Sequence, residues 1–264
     1  MAERIRKLNV DIKLATKQLA KSSKAYALSD NKNYNDVLEN NFYEGILQKS
    51  MMNKSGYGID EVSSFFSGDI DISTRDGYGR SLLSLSIAMN NETKFDECMT
   101  KSMGAEVCDS AGNTPIILAA ISGNAHMVQK LLDRGINVNA RNLNDESALM
   151  AACSLGHIDI VKLLLAAGAD MFKRDATGNT ALCFAAIFGQ EECVRTLIDL
   201  KCDINGADKF GNTPLHHALK CGKEKVAMLL LKNGASKTVK DKYGQTVIDI
   251  AKSKNMNAFL AAAE

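Results

Sequence analysis

No apolar run in this sequence approaches the roughly 20 residues that a membrane-spanning helix needs. Stretches such as Leu163–Ala167 are short. The opening residues, MAERIRKLNVDIK, lack the continuous apolar core of a secretory signal. The expected location is therefore cytoplasmic, with the nucleus as the alternative. Seven cysteines are present, an odd number, and no CxxC occurs among them. In a reducing compartment such cysteines are expected to stay free thiols that pack as small apolar groups. Neither GxxxxGK[ST] nor GxGxxG is found, so no loop built to cradle a nucleotide phosphate is expected. Proline is also scarce: Pro115 and Pro214 are the only two.

Net charge is +1, but it is spread unevenly. Residues 1–24 hold seven Lys/Arg and two acids, and residues 208–264 hold ten and five. The middle of the chain holds 15 basic and 24 acidic residues. An acidic middle argues against nucleic acid along the main body. The basic ends read as solvated helix faces, or as contacts for acidic partners or membrane surfaces.

What the sequence does have is a register. Stepping by 33 residues from Thr213 lands on Thr180, Ser147, Thr114 and Ser81 upstream and on Thr246 downstream. Every one carries a hydroxyl. Two positions before each lie Gly79, Gly112, Asp145, Gly178, Gly211 and Gly244, and five before lie Asp76, Asp109, Asn142, Asp175, Asp208 and Asp241. Nine after lie Asn90, Gly123, Gly156, Gly189, Gly222 and Asn255. Asp-x-x-Gly is turn chemistry: the carboxylate bonds backbone N–H groups two residues on, and glycine accepts positive φ. Asp145 replaces glycine once, and aspartate tolerates the left-handed region better than most residues. The hydroxyl residue predicts a helix N-cap. Both prolines directly follow it, where their fixed φ suits the first helical turn. A short helix then runs, for example, over Pro214–Leu219, and a longer one carries Ile158, Val161, Leu164 and Leu165 at helical spacing before Gly168 stops it.

TPLHHA at 213–218, GHIDIVKLLLAAGAD at 156–170 and GNTALCFAA at 178–186 resemble signature pieces of the ankyrin repeat. The resemblance covers residues 76–264, in units starting near 76, 109, 142, 175, 208 and 241. It implies a mainly α solenoid: antiparallel helix pairs joined by short β-hairpin fingers. Unit 81–113 departs with an irregular second helix, KFDECMTKSMG, and the last unit ends in NAFLAAAE, which reads as a C-terminal cap. Residues 37–75 are expected to form a degenerate N-terminal capping repeat, as solenoid ends need a polar outer face. Residues 31–36 read as a linker. In residues 1–30, Ile5, Leu8, Ile12, Ala15 and Leu19 follow the spacing of a coiled-coil seam. Three fates stay open for this amphipathic helix: docking on the solenoid, association with a partner or with itself into a weak homo-oligomer, or peripheral membrane contact through residues 1–24.

His216 and His217, five and four residues ahead of Cys221, are the one grouping that could suggest chemistry. A zinc site needs three or four ligands around one metal, and two side chains on a helical face are too few. No metal, cofactor or catalytic residue is expected, and the chain is read as a non-enzyme. The resemblance implies instead that His216 braces the turn by hydrogen bonding. His157 reads as a bridge between loops. The resemblance also makes Asn139 and Asn205, two repeat lengths apart, candidates for asparaginyl hydroxylation, against the plain reading as turn residues.

In a solenoid, framework columns build the core and function falls to the columns free to vary. The resemblance places those on the finger tips, the position just before the hydroxyl residue included, and on the concave ends of the first helices. They select Tyr78, Arg80, Ile121, Leu143, Leu155, Ile187, Phe188, Lys209, Phe210, Lys220, Lys242 and Tyr243 as partner-binding residues. Apolar side chains there would form a patch, and Arg80, Lys209, Lys220 and Lys242 its charged rim. The expected function is non-catalytic binding of another protein, as scaffold or adaptor. The alternatives are a structural protein that oligomerises through the N-terminal helix, or a regulatory subunit whose N-terminal helix covers the binding face.

Overall fold

The computed structural model describes residues 80–100 and 108–263. All of them fall in one compact unit, Gly56–Glu264. The expected helix at 1–30, the linker, the capping repeat at 37–75 and Tyr78 lie outside the described residues, as does the end of the irregular second helix past Thr100.

Twelve helices run in order among the described residues: α1 (Leu82–Ala88), α2 (Glu92–Thr100), α3 (Pro115–Ser122), α4 (Ala125–Asp133), α5 (Ala148–Leu155), α6 (Ile158–Ala166), α7 (Ala181–Phe188), α8 (Glu191–Asp199), α9 (Pro214–Lys220), α10 (Glu224–Lys232), α11 (Val247–Ser253) and α12 (Asn257–Ala263). The first helix of each repeat packs on the first helix of the next, α1 through α11, and on its own second helix. The second helices α4 through α12 stack likewise.

Composition explains the two roles. First helices are apolar all round and rich in alanine, such as PIILAAIS in α3 and ALCFAAIF in α7. Seven of eight residues are buried in each, because neighbours press from both sides and alanine permits close approach. Second helices bury only one stripe. In α6 that stripe is Ile160, Val161 and Leu164, whereas Ile158 and Leu165 are half-buried.

The hydroxyl residues behave as N-caps with one exception. Ser81, Ser147, Thr180, Thr213 and Thr246 each accept the N–H three residues on. Thr114 makes no such bond, and its buried Oγ1 has no partner. A buried hydroxyl without a partner costs about 1–3 kcal/mol. Thr114→Val should therefore leave the melting temperature unchanged or raise it, while Thr180→Val should lower it by the loss of a cap worth about 1 kcal/mol. Equal losses for both variants would mean that Thr114 is capped in solution.

The fingers are turns rather than strands. No strand occurs among the described residues; pairing of one described residue with another is limited to isolated bridges at Arg141–Ser147 and Lys240–Thr246. Each turn is instead built around one side chain. Asp109 Oδ1 accepts from the N–H of Ala111 and Asn113, and Asn142, Asp175, Asp208 and Asp241 repeat this pair of bonds at 2.7–3.0 Å. Asp145 adopts φ 61°, the left-handed conformation that its position required. Gly178 sits at φ 93°, and a Cβ there would lie 2.9 Å from the Lys209 nitrogen. The next finger comes that close because Lys209 N–H donates to the Thr177 carbonyl at 3.0 Å. The same bond joins Leu143 to Ala111, Ala176 to Asn144 and Lys242 to Phe210, so one backbone hydrogen bond ties each finger to the last.

Candidate interaction surface

The histidines belong to the scaffold. Thr213 N–H donates to His216 Nδ1 at 3.3 Å, and the His216 N–H donates back to Thr213 Oγ1 at 3.4 Å, closing a capping box. With Nδ1 accepting, the ring proton sits on Nε2, 3.4 Å from the Gln245 carbonyl of the next repeat. Burial holds His216 below the ordinary histidine value, which keeps the ring in the neutral form that both bonds require. His217 Nε2 faces Asp208 Oδ2 at 3.2 Å with both side chains buried. Burial alone would raise Asp208, but His217 and Asn212 outweigh it and hold the carboxyl below its ordinary value. His157 hydrogen-bonds the Ile121 carbonyl one repeat back, the bridge expected of it, and Gln190 reaches the Ser154 carbonyl in the same way at 3.0 Å. These bonds satisfy carbonyls at the ends of first helices that have no partner within their own helix.

The cysteines are free. Cys98, Cys153, Cys183 and Cys193 are buried, and Cys108 is the exposed one. Burial pushes the Cys183 and Cys202 thiols up to about 11 and Cys221 to about 12, so these three are not poised as thiolates. Among the described residues, no group of His, Cys, Asp and Glu could hold a metal ion, and no helix is long and apolar enough to cross a membrane. Asn139 and Asn205 serve the exit loops: their side-chain oxygens accept the N–H of Asp170 and Ser236, each at 2.8 Å.

The columns expected to vary freely divide into two sets. Leu143 is 77% exposed and Tyr243 48%, and Lys209 and Lys242 are exposed beside them on the finger tips. Arg80, Leu155, Phe188 and Phe210 are half-buried. Lys242 Nζ stands 4.1 Å from the centre of the Phe210 ring and 4.9 Å from that of Tyr243, linking two fingers by cation–π contact. The first set thus keeps apolar and basic groups in or near solvent.

The other set does not. Ile121 and Ile187 are 6% and 4% exposed, so they are core residues at the ends of α3 and α7 and present almost no area to a partner. Lys220 is not a rim charge: its Nζ donates to Asn212 Oδ1 at 2.6 Å and to Asp241 Oδ2 at 2.8 Å, well inside the stack. The finger column just before the hydroxyl residue, read as variable, is buried at Asn113, Glu146, Asn179 and Asn212. The reason is contact with the next repeat: Asn142 Nδ2, for instance, donates to Asn113 Oδ1 at 3.0 Å and to Glu146 Oε2 at 2.7 Å.

Two exposed apolar residues lie outside the expected set, Phe172 at 56% and Leu200 at 48%. Both could have been found by column. Phe172 stands where the neighbouring units have Asn139 and Asn205, and Leu200 where they have Ala167 and Asn233.

The family model for ankyrin repeats in three copies matches residues 85–175 and 149–241, together more than half of the chain. The chain belongs to the ankyrin-repeat family. No curated protein matches it. Ankyrin repeats are generally protein–protein interaction modules and typically non-catalytic, which agrees with apolar side chains held at finger tips where no helix or turn uses them.

Proposed function

We propose that this ankyrin-repeat protein is a non-catalytic scaffold or adaptor that binds another protein through its finger tips and the adjoining ends of its first helices. The observation that carries this reading is the exposure of Leu143 and Tyr243 at finger tips, beside half-buried Leu155, Phe188 and Phe210. A patch of apolar side chains that the fold leaves in solvent is the usual mark of an interface. The stack of turns and helices is ordered before any partner arrives, so docking loses little chain entropy.

The test compares affinity capture by the wild-type chain with capture by a variant carrying Leu143→Ser, Leu155→Ser and Phe188→Ser. The variant should keep a cooperative melt and lose one or more specifically captured proteins. Identical captured sets would sink the reading.

A further inference from the structure

Five fingers are described, and their exposed charge changes along the stack. On the 142–146 finger, Asp145 is balanced by Arg141 beside it at 3.6 Å. At the 175–179 finger, Arg174 donates to the Gly178 and Ala207 carbonyls. The 208–212 and 241–245 fingers differ. Their aspartates, Asp208 and Asp241, are buried inside the turns, so the charge on the outside is that of Lys209, Lys240 and Lys242. Asp249, exposed near Lys240, is already engaged by the Thr246 N–H at 2.8 Å and by its hydroxyl at 2.7 Å. Lys209 Nζ donates once, to the Ala176 carbonyl at 2.7 Å. An ammonium has three N–H donors, so that single bond leaves it capacity for a carboxylate. Lys242 rests over Phe210 and Tyr243, an arrangement that joins cation and apolar surface in one place.

The backbone supplies an independent feature. The carbonyls of Ala111, Asn144, Thr177 and Phe210 each accept an N–H from the following finger. The corresponding carbonyl of Tyr243 receives no donor among the described residues. An extended strand laid beside Tyr243 would continue the ladder by the same bond that every finger uses.

The extent of the basic region decides which anion fits. Residues 108–207 carry eight Lys/Arg and eleven Asp/Glu. A duplex or a bilayer is a wide polyanion, and one pressed on the last two fingers would meet that acidic flank. A short acidic segment needs the two fingers alone.

We propose that the 208–212 and 241–245 fingers dock an acidic, extended segment of a partner protein. Its carboxylates meet Lys209, Lys240 and Lys242, an apolar side chain lies on the Phe210–Tyr243 pair, and its backbone runs beside Tyr243. The proposal rests on the protein-binding reading above and names the chemistry of the partner.

The probe is a fluorescein-labelled peptide of alternating glutamate and glycine around a central phenylalanine, titrated with the full chain and followed by fluorescence polarisation. Binding should be saturable and should weaken with added salt. It should vanish when glutamine replaces glutamate in the peptide, and fall by about tenfold or more in a Lys209→Glu, Lys242→Glu double variant. Both lysines are exposed, so the melting temperature of that variant should stay near wild type. Phe210→Ala should weaken the phenylalanine peptide more than a counterpart with serine at its centre. Equal affinity of wild type and double variant would overturn the proposal. So would tighter binding of a single-stranded oligonucleotide, or of vesicles containing phosphatidylserine, than of the peptide. If the double variant still captures the proteins that the Leu143→Ser, Leu155→Ser, Phe188→Ser variant loses, the acidic-segment proposal fails and the broader reading stands.

Discussion

Lys220→Met should destabilise the fold by about 3 kcal/mol, read as a lower urea midpoint at unchanged slope. Lys220 and Asp241 form an ion pair at 2.8 Å whose side chains are 10% and 0% exposed. Removing one partner of such a pair leaves the other charge buried without compensation, which costs more than the pair itself contributes. Burial alone would push the Asp241 carboxyl up. The Lys220 ammonium and the N–H groups of Gln245 and Tyr243 outweigh burial and hold it below its ordinary value. Methionine keeps much of the length of the lysine stem, so the loss isolates the charge. Because Asp241 can be relieved by a proton, the penalty should shrink as the pH falls through the carboxylate range. A second change, Asp241→Asn, should recover part of the loss, as coupled neighbours do. An unchanged midpoint would mean that the pair does not form. The same variant decides the role of Lys220, because its capture of partners should fall only as far as the protein unfolds.

Glu146→Gln should do the reverse and stabilise the protein by about 3 kcal/mol at pH 7. Apart from Arg80, its column otherwise holds amides: Asn113, Asn179, Asn212 and Gln245. Glu146 is 3% exposed. Burial first, and then the charge of Asp175, push its carboxyl up to about 8 from an ordinary 4.5, against the pull of the Asn142 hydrogen bond. Between those two values the folded chain holds a proton that the unfolded chain has released. Stability therefore falls as the pH rises through this window, by about 1.4 kcal/mol per unit, and levels off above the folded value. Glutamine does not titrate and keeps an acceptor for Asn142. The gap between variant and wild-type melting temperatures should widen steadily from acid to mildly alkaline buffer. A constant gap would show that Glu146 is already ionised in the fold. His157 and His216, held below the ordinary histidine value by burial, act on the other side: their contribution is lost as the pH falls below about 6.5.

Local chemistry was legible in the sequence, and contact between repeats was not. The turn aspartates, the hydroxyl caps and the left-handed Asp145 all act within a few residues of themselves, so their spacing revealed them; the bracing His216 followed from the family resemblance. Thr114 shows the limit even there: the residue type is right for a cap, and the bond is missing. Lys220, Ile121, Ile187 and the buried amide column were misread because each is decided by a neighbour outside its own turn. Asp241 lies 21 residues from Lys220, and Asn142 lies 29 from Asn113. A column in one repeat looks free until the next repeat is laid against it. Leu143 and Tyr243, by contrast, are exposed at finger tips; the finger after Leu143 joins its own through the Ala176–Asn144 backbone bond, and no described finger follows Tyr243.

That backbone bond has a metric consequence. Packed helices repeat at about 8–10 Å, and the fingers that join them advance in step. An extended peptide advances about 3.3 Å per residue, so three residues match one finger. The fingers thus act as a ruler: an extended ligand crossing Phe210 and Tyr243 covers both tips within about three residues, and the side chains that face the tips together with its apolar one stand two positions to either side of it.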